Sequence, residues 1–103
     1  MKYRIRYLPD AASDRDDIKE YLSQFYAGTA GRFFALLKQR TARLKEWPYS
    51  CPVYDDDPDY RVLVVGDYLV FYIVDEDAKI VEVHRIFHAK MDIRRHLNYS
   101  TRI

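Results

Sequence analysis

Hydrophobic and polar positions repeat along this chain in two periods, and each period predicts an element. Over residues 2–8, Tyr3, Ile5 and Tyr7 share one side while Lys2, Arg4 and Arg6 share the other. That alternation predicts a half-buried strand whose charged side suits a sheet edge. Pro9 ends it. Asp10 then reads as the N-cap of a helix over residues 10–27, with Asp14, Asp16 and Asp17 in turns where the helix dipole favours negative charge. Ile18, Tyr21, Leu22, Phe25 and Tyr26 recur at helical spacing as one apolar stripe, and Gly28 closes the helix. Thr29 reads as the cap of a second helix over 29–47. Phe33, Phe34, Leu37, Thr41, Leu44 and Trp47 trace its apolar face, and Pro48 stops it.

The period changes after residue 60. Residues 60–66 and 67–75 are two nearly continuous apolar runs, rich in β-branched and aromatic residues, joined at Gly66-Asp67. A Gly-X pair between two such runs signals a tight hairpin. A polar turn leads to a third strand over 79–88. There Val81, Val83 and Phe87 are expected on one side and Glu82, His84 and Ile86 on the other. Residues 48–59, with three prolines and four aspartates, read as a solvated loop without a metal-binding pattern. The predicted fold is α+β, a helical hairpin packed on one face of a mainly antiparallel four-stranded sheet, with a short C-terminal helix. The hairpin strands are apolar on both faces, and two helices cover only one. A partner segment laid over the other face or along an edge would bury the rest.

Composition narrows the class. The 103 residues suit a single domain spanning 1–103, with 49% hydrophobic and 32% charged residues. No stretch approaches the ~20 apolar residues that cross a membrane. The N-terminus lacks the apolar segment of a signal peptide, and the single Cys51 can form no internal disulfide. These features predict a cytoplasmic protein. The net charge of +1 divides into +4 over residues 1–50, −7 over 51–83 and +4 over 84–103. Bulk coating of nucleic acid is therefore not expected, while a local basic site is. Arg32, Lys38, Arg40, Arg43 and Lys45 make the second helix basic, as a contact for an acidic partner would be.

Candidate chemistry gathers near the C-terminus, where His84, His88 and His96 lie among Arg85, Lys90, Arg94 and Arg95. A metal site is not expected, because His84 and His88 on one strand would stand roughly 13 Å apart. No nucleophile motif or phosphate-cradling loop is present, and no cofactor is implied. Acid–base cleavage of RNA would need proton carriers, here His84, His88 and His96, with Arg61, Arg85 and Lys90 as phosphate-stabilising cations.

Three stretches carry a family resemblance. YRIRYLPDAASDRDDIKEYLSQF opens the chain, YRVLVVGDYLVFYIVDED holds an R-x-L-x-V-G-x-Y-x-x-x-Y hairpin, and HRIFHAKMDIRRHL is similar to an R-I-L-H-x-x-x-D-I ending. Together they resemble toxins of the ParE/RelE superfamily from bacterial type II toxin–antitoxin (plasmid stabilisation, or addiction) modules. The resemblance implies a cognate antitoxin as partner and one of two actions. RelE-like members cleave mRNA on the ribosome, while ParE-like members poison DNA gyrase without being nucleases. The ribonuclease branch carries cations along the hairpin where this chain has Leu63 and Leu69, while Arg61, Lys90 and His96 fall near its other positions. The ending favours the ParE branch. The expected target contacts are then Arg85, His88, Lys90, Asp92, Arg94 and Arg95. The expected antitoxin contacts are Arg32, Lys38, Arg40, Arg43, Tyr68 and Tyr72. A relative that binds its antitoxin and has lost toxicity is a third reading.

Overall fold

A computed structural model describes residues 2–25 and 27–91. The order is β1 (Arg4–Tyr7), α1 (Pro9–Leu22), α2 (Thr29–Leu44), β2 (Arg61–Val65), β3 (Tyr68–Asp75) and β4 (Ile80–His88). The expected C-terminal helix lies outside the described residues.

The four strands form one sheet in the order β1-β4-β3-β2. β2, β3 and β4 are an antiparallel meander, and Gly66 takes the positive φ of +60° that its hairpin turn requires. β1 returns beside β4 but runs parallel to it. The sheet is therefore mixed, not mainly antiparallel. Alternating burial is the same for either direction, so the pattern of β1 held no information on this point.

Helices α1 and α2 cover one face. Beneath them Ile18, Phe33, Leu37 and Leu44 pack on Leu63, Val65, Val70, Tyr72, Val81, Val83 and Ile86. The opposite face has its own smaller core of Tyr60, Phe71 and Phe87, joined by Tyr54, Val62, Leu69 and Ile73. The chain thus covers part of its second face itself. Residues 48–60 are a largely exposed loop, as expected, but one tied to the sheet. Val53 bridges to Arg61, the Val62 amide donates to Pro52 O (3.0 Å), and the Tyr54 amide donates to Tyr60 O (2.8 Å).

Strand β4 departs from simple alternation. Phe71 pairs with Arg85 and Tyr72 with Val83, which leaves His84 as an extra residue in a β-bulge. Past the bulge the sides exchange: Ile86 joins the helix-side core and Phe87 the opposite one. The expected grouping of Val81, Val83 and Phe87 fails for that reason.

Both helices are shorter than predicted. α1 has Leu8 at its N-cap, without a side-chain cap, and stops at Leu22. Phe25 therefore lies past the helix, 55% exposed, stacked edge-to-face on the equally exposed Tyr21 at 5.0 Å. The N-cap of α2 is Gly28, in the left-handed region at φ +84°, and Thr29 is already helical. Trp47 falls beyond α2 and is exposed instead of buried.

One ion pair joins the two layers. Asp14 on α1 accepts from Arg85 Nε (2.7 Å) and Nη2 (2.9 Å), and from the Ile86 amide (2.9 Å). Both side chains are only 14% exposed. β1 pairs with β4 only as far as Val83, so Asp14 takes over the edge of β4 where the ladder ends. Removing one partner strands a desolvated charge, which costs several kcal/mol. Asp14→Ala is expected to lower unfolding stability by about 3 kcal/mol, read from the urea midpoint at unchanged slope. A loss below ~1 kcal/mol, the value of an exposed pair, would contradict this placement.

Candidate functional site

Between β1 and α2 runs a groove of about 330 Å³, with Ile5, Tyr7, Phe34 and Leu37 as its apolar lining. Arg15, Lys38 and Lys45 also line it, and no acid does. The Arg15 guanidinium sits 4.5 Å from the centre of the Tyr7 ring. Burial pushes the Tyr7 phenol above its ordinary value. The Arg4 amide donates to Lys79 O just before β4, the Leu8 amide to Val83 O within it and the Tyr3 amide to Lys45 O, so the intervening Ile5 and Tyr7 turn their backbone groups outward along the sheet edge. An apolar floor, three cations and an open strand edge suit an acidic segment with apolar side chains.

The expected antitoxin contacts divide around this groove. Lys38 lines it, and Arg32 and Arg43 are exposed on α2. Arg40 donates to Val64 O (3.1 Å), fastening α2 to the edge strand β2. Tyr68 and Tyr72 are core residues beneath the helices, 8% and 0% exposed, and Tyr72 donates its hydroxyl to Pro48 O (2.7 Å). Burial is also the main cause of the raised Tyr72 phenol. Helical spacing on α1 is the signal that points to Arg15, which sequence reasoning left out.

Among the described residues, the expected ribonuclease groups Arg61, His84 and His88 do not converge. Arg61 donates to Tyr49 O (3.2 Å) and Cys51 O (2.8 Å) and holds the loop. His84, at the bulge, has Nδ1 3.4 Å from the Tyr60 hydroxyl and Nε2 3.7 Å from Glu82 Oε1, on the face away from the helices. His88 lies in register with Tyr68 on the helix face, with its ring edge-on to Tyr68 at 5.3 Å. Its Nδ1 accepts the Lys90 amide (3.1 Å), which places the proton of the neutral ring on Nε2. Arg61 is in register with Tyr72 and His88 with Tyr68, four residues apart on β3. That separation is about 13 Å along the strand. His96 lies outside the described residues.

Of the expected target contacts, Arg85 is committed to Asp14, and its guanidinium also lies 4.5 Å from the Phe87 ring centre. Its Asp14 hydrogen bonds raise its already high basicity. His88 is half-buried and Lys90 exposed. Asp92, Arg94 and Arg95 lie outside the described residues.

The opposite end of the sheet holds a polar knot. Glu76 accepts from the hydroxyls of Tyr3 (2.8 Å) and Tyr49 (2.5 Å) and pairs with Lys79. Hydrogen bonds from Lys79, then Tyr49 and Tyr3, hold its carboxyl at about 2. The same contact raises both phenols. Because the folded value is depressed, the stabilisation is present above the ordinary carboxylate value of 4.5 and disappears as pH falls toward about 2. The thermal midpoint of the unaltered protein should therefore exceed that of Glu76→Gln at neutral pH, with the gap closing as the solution is acidified through this window. A gap independent of pH would contradict the knot.

A family model described as the ParE toxin of the type II toxin–antitoxin system parDE matches residues 5–93. Among solved structures, the chromosomal ParDE toxin–antitoxin system from P. aeruginosa has a TM-score of 0.71 at 15% identity, covering 84% of this chain and 96% of that one. The RelBE2 toxin–antitoxin complex from Mycobacterium tuberculosis gives 0.59 at 18% identity, covering 85% of this chain and 99% of that one. A free-state mutant of the E. coli toxin RelE gives 0.61 at 15% identity, covering 93% of each chain. At these identities the likeness is one of fold. No curated protein matches the sequence.

Proposed function

The chain belongs to the ParE toxin family of type II toxin–antitoxin systems, and we propose that it is a contact toxin directed at DNA gyrase, held inactive by a cognate antitoxin. The observation that carries the choice of action is the scattering of the groups an RNA-cleaving site would need. Arg61 is spent on loop carbonyls, and His84 and His88 occupy opposite faces. Loss of one transition-state charge costs about 10²–10³ in rate. A hairpin with Leu63 and Leu69 at cation positions and Arg61 turned away has several such losses. A gyrase-directed toxin needs a contact surface and no such constellation. Lys90 and His88, with Asp92, Arg94 and Arg95 beyond them, are the proposed target contacts on the basic C-terminal end. Arg85 acts there by fixing the end of β4 through Asp14.

The antitoxin reading rests on the groove between β1 and α2. Its three cations and apolar floor match an acidic, partly apolar segment, with Arg32 and Arg43 extending the basic surface along α2. A plasmid-stabilising or addiction role in the cytoplasm follows from the same reading. Among the described residues no helix is long and apolar enough to cross a membrane.

Two measurements test these proposals. Purified protein should inhibit gyrase supercoiling without ribosomes and leave mRNA intact in a translating extract. Ribosome-dependent cleavage that is lost in His88→Ala, with gyrase unaffected, would replace this reading by the RelE-like one. Co-expression with the neighbouring gene product should give one peak on size exclusion, and Lys38→Glu together with Arg15→Glu should split it. Two peaks from the unaltered pair would argue against an antitoxin at this groove.

A further inference from the structure

We propose that two copies of this chain associate through their helical hairpins, each laying its α1 on the α2 of the other. The two helices carry opposite charge on the side away from the sheet. α1 exposes Asp10, Asp16, Asp17 and Glu20 against one exposed cation, Lys19. α2 exposes Arg32, Lys38 and Arg43, and its sequence holds no acid. Among the described residues none of these side chains is in an ion pair.

Helical spacing sorts these charges into matching rows. On α2, Gly31, Ala35 and Ala42 form the outermost line, and no atom lies within 4 Å of where a Cβ on Gly31 would stand. Lys38 flanks that line on the groove side, and Arg32 and Arg43 flank it on the other. On α1, Ser13 and Glu20 are outermost, with Asp16 on one side and Asp10 and Asp17 on the other. A line of small residues between two cationic rows admits a helix with acids on both flanks, and α1 is such a helix.

One symmetry satisfies both helices at once. α1 and α2 are joined by residues 23–28 and pack together as a hairpin, so Glu20 and Arg32 lie at one end and Asp10 and Arg43 at the other. A two-fold axis parallel to the helices, midway between them, sets Glu20 of each copy against Arg32 of the second and Asp10 against Arg43. The contact then closes on itself as a dimer. Helices of 14 and 16 residues are about 21 and 24 Å long, so each hairpin offers a footprint of roughly 400 Å². That is too small for a permanent interface, and the association is reversible and sensitive to salt. It covers Arg32, Lys38 and Arg43, the cations assigned above to the antitoxin, so an acidic antitoxin and a second copy exclude each other. That exclusion rests on the antitoxin reading; the dimer does not.

Sedimentation of the full-length protein at micromolar concentration tests the proposal. A monomer–dimer equilibrium is expected at about 0.01 M ionic strength, where charges act over roughly 30 Å, and a monomer at about 1 M, where they act over roughly 3 Å. Asp17→Lys with Glu20→Lys should raise the dimer dissociation constant by about tenfold or more, and so should Arg32→Glu with Arg43→Glu. Circular dichroism confirms that each variant folds. An equimolar mixture of the two variants should recover the dimer, because each supplies the charge that the other then needs. A monomer at every concentration in low salt overturns the proposal. So does a dimer that high salt or both variants leave intact, an assembly that grows past two copies, or a mixture of the variants that stays monomeric. Gyrase inhibition plays no part in the readout, so this proposal and the gyrase reading fail separately.

Discussion

One extra residue in β4, secured by one carboxylate, sets how this molecule is divided. With His84 bulged, every side chain past it changes face, and the amide of Ile86 is left at an edge where β1 has already ended. A sheet edge with open amides is a liability. Asp14 closes this one and holds Arg85 in the same grip. The helical hairpin, the end of β4 and the sorting of two cores are therefore coupled. Without the bulge, Phe87 would enter the helix-side core and Ile86 would leave it.

That division separates the chemistry as well. The helix face and its β1 edge carry a basic, apolar groove, while the far face carries His84 among aromatic rings. The segment after α2 is tied down by Tyr72 and Arg61 and displays Trp47 and Tyr49. The basic groove and these exposed rings thus lie on different parts of one scaffold. Such an arrangement serves recognition of more than one partner better than a reaction that needs several groups around one phosphate.

Much of this was legible in the residues. The strands, the Gly66 hairpin and the buried face of α2 follow from periodicity and turn chemistry that the structure repeats. The family resemblance agreed with them across nearly the whole chain. What was not legible has physical causes. The direction of β1 leaves no trace in alternation. A bulge is a property of two paired strands, and β4 alone reads as a regular period of two. Phe25 and Trp47 keep helical spacing beyond the points where their helices stop, and Tyr21 stands in the last turn of α1, so all three look buried and are exposed. The polar segment 48–60 hid two aromatic anchors, Tyr54 and Tyr60, that turn it into the cover of the second face. Arg61 and Arg85 appeared as free cations because their acceptors, loop carbonyls and Asp14, are distant in sequence.

The most direct test of this account is a proton NMR map of the ring contacts of the two strand histidines. The bulge predicts cross-peaks from His84 to Tyr60 and from His88 to Tyr68, whose ring centres lie 5.3 Å away in each case. A cross-peak to Tyr68 from the Phe87 ring in place of His88 would remove the bulge and put both histidines on one face. It would take away the separation of faces on which the choice of a contact toxin rests.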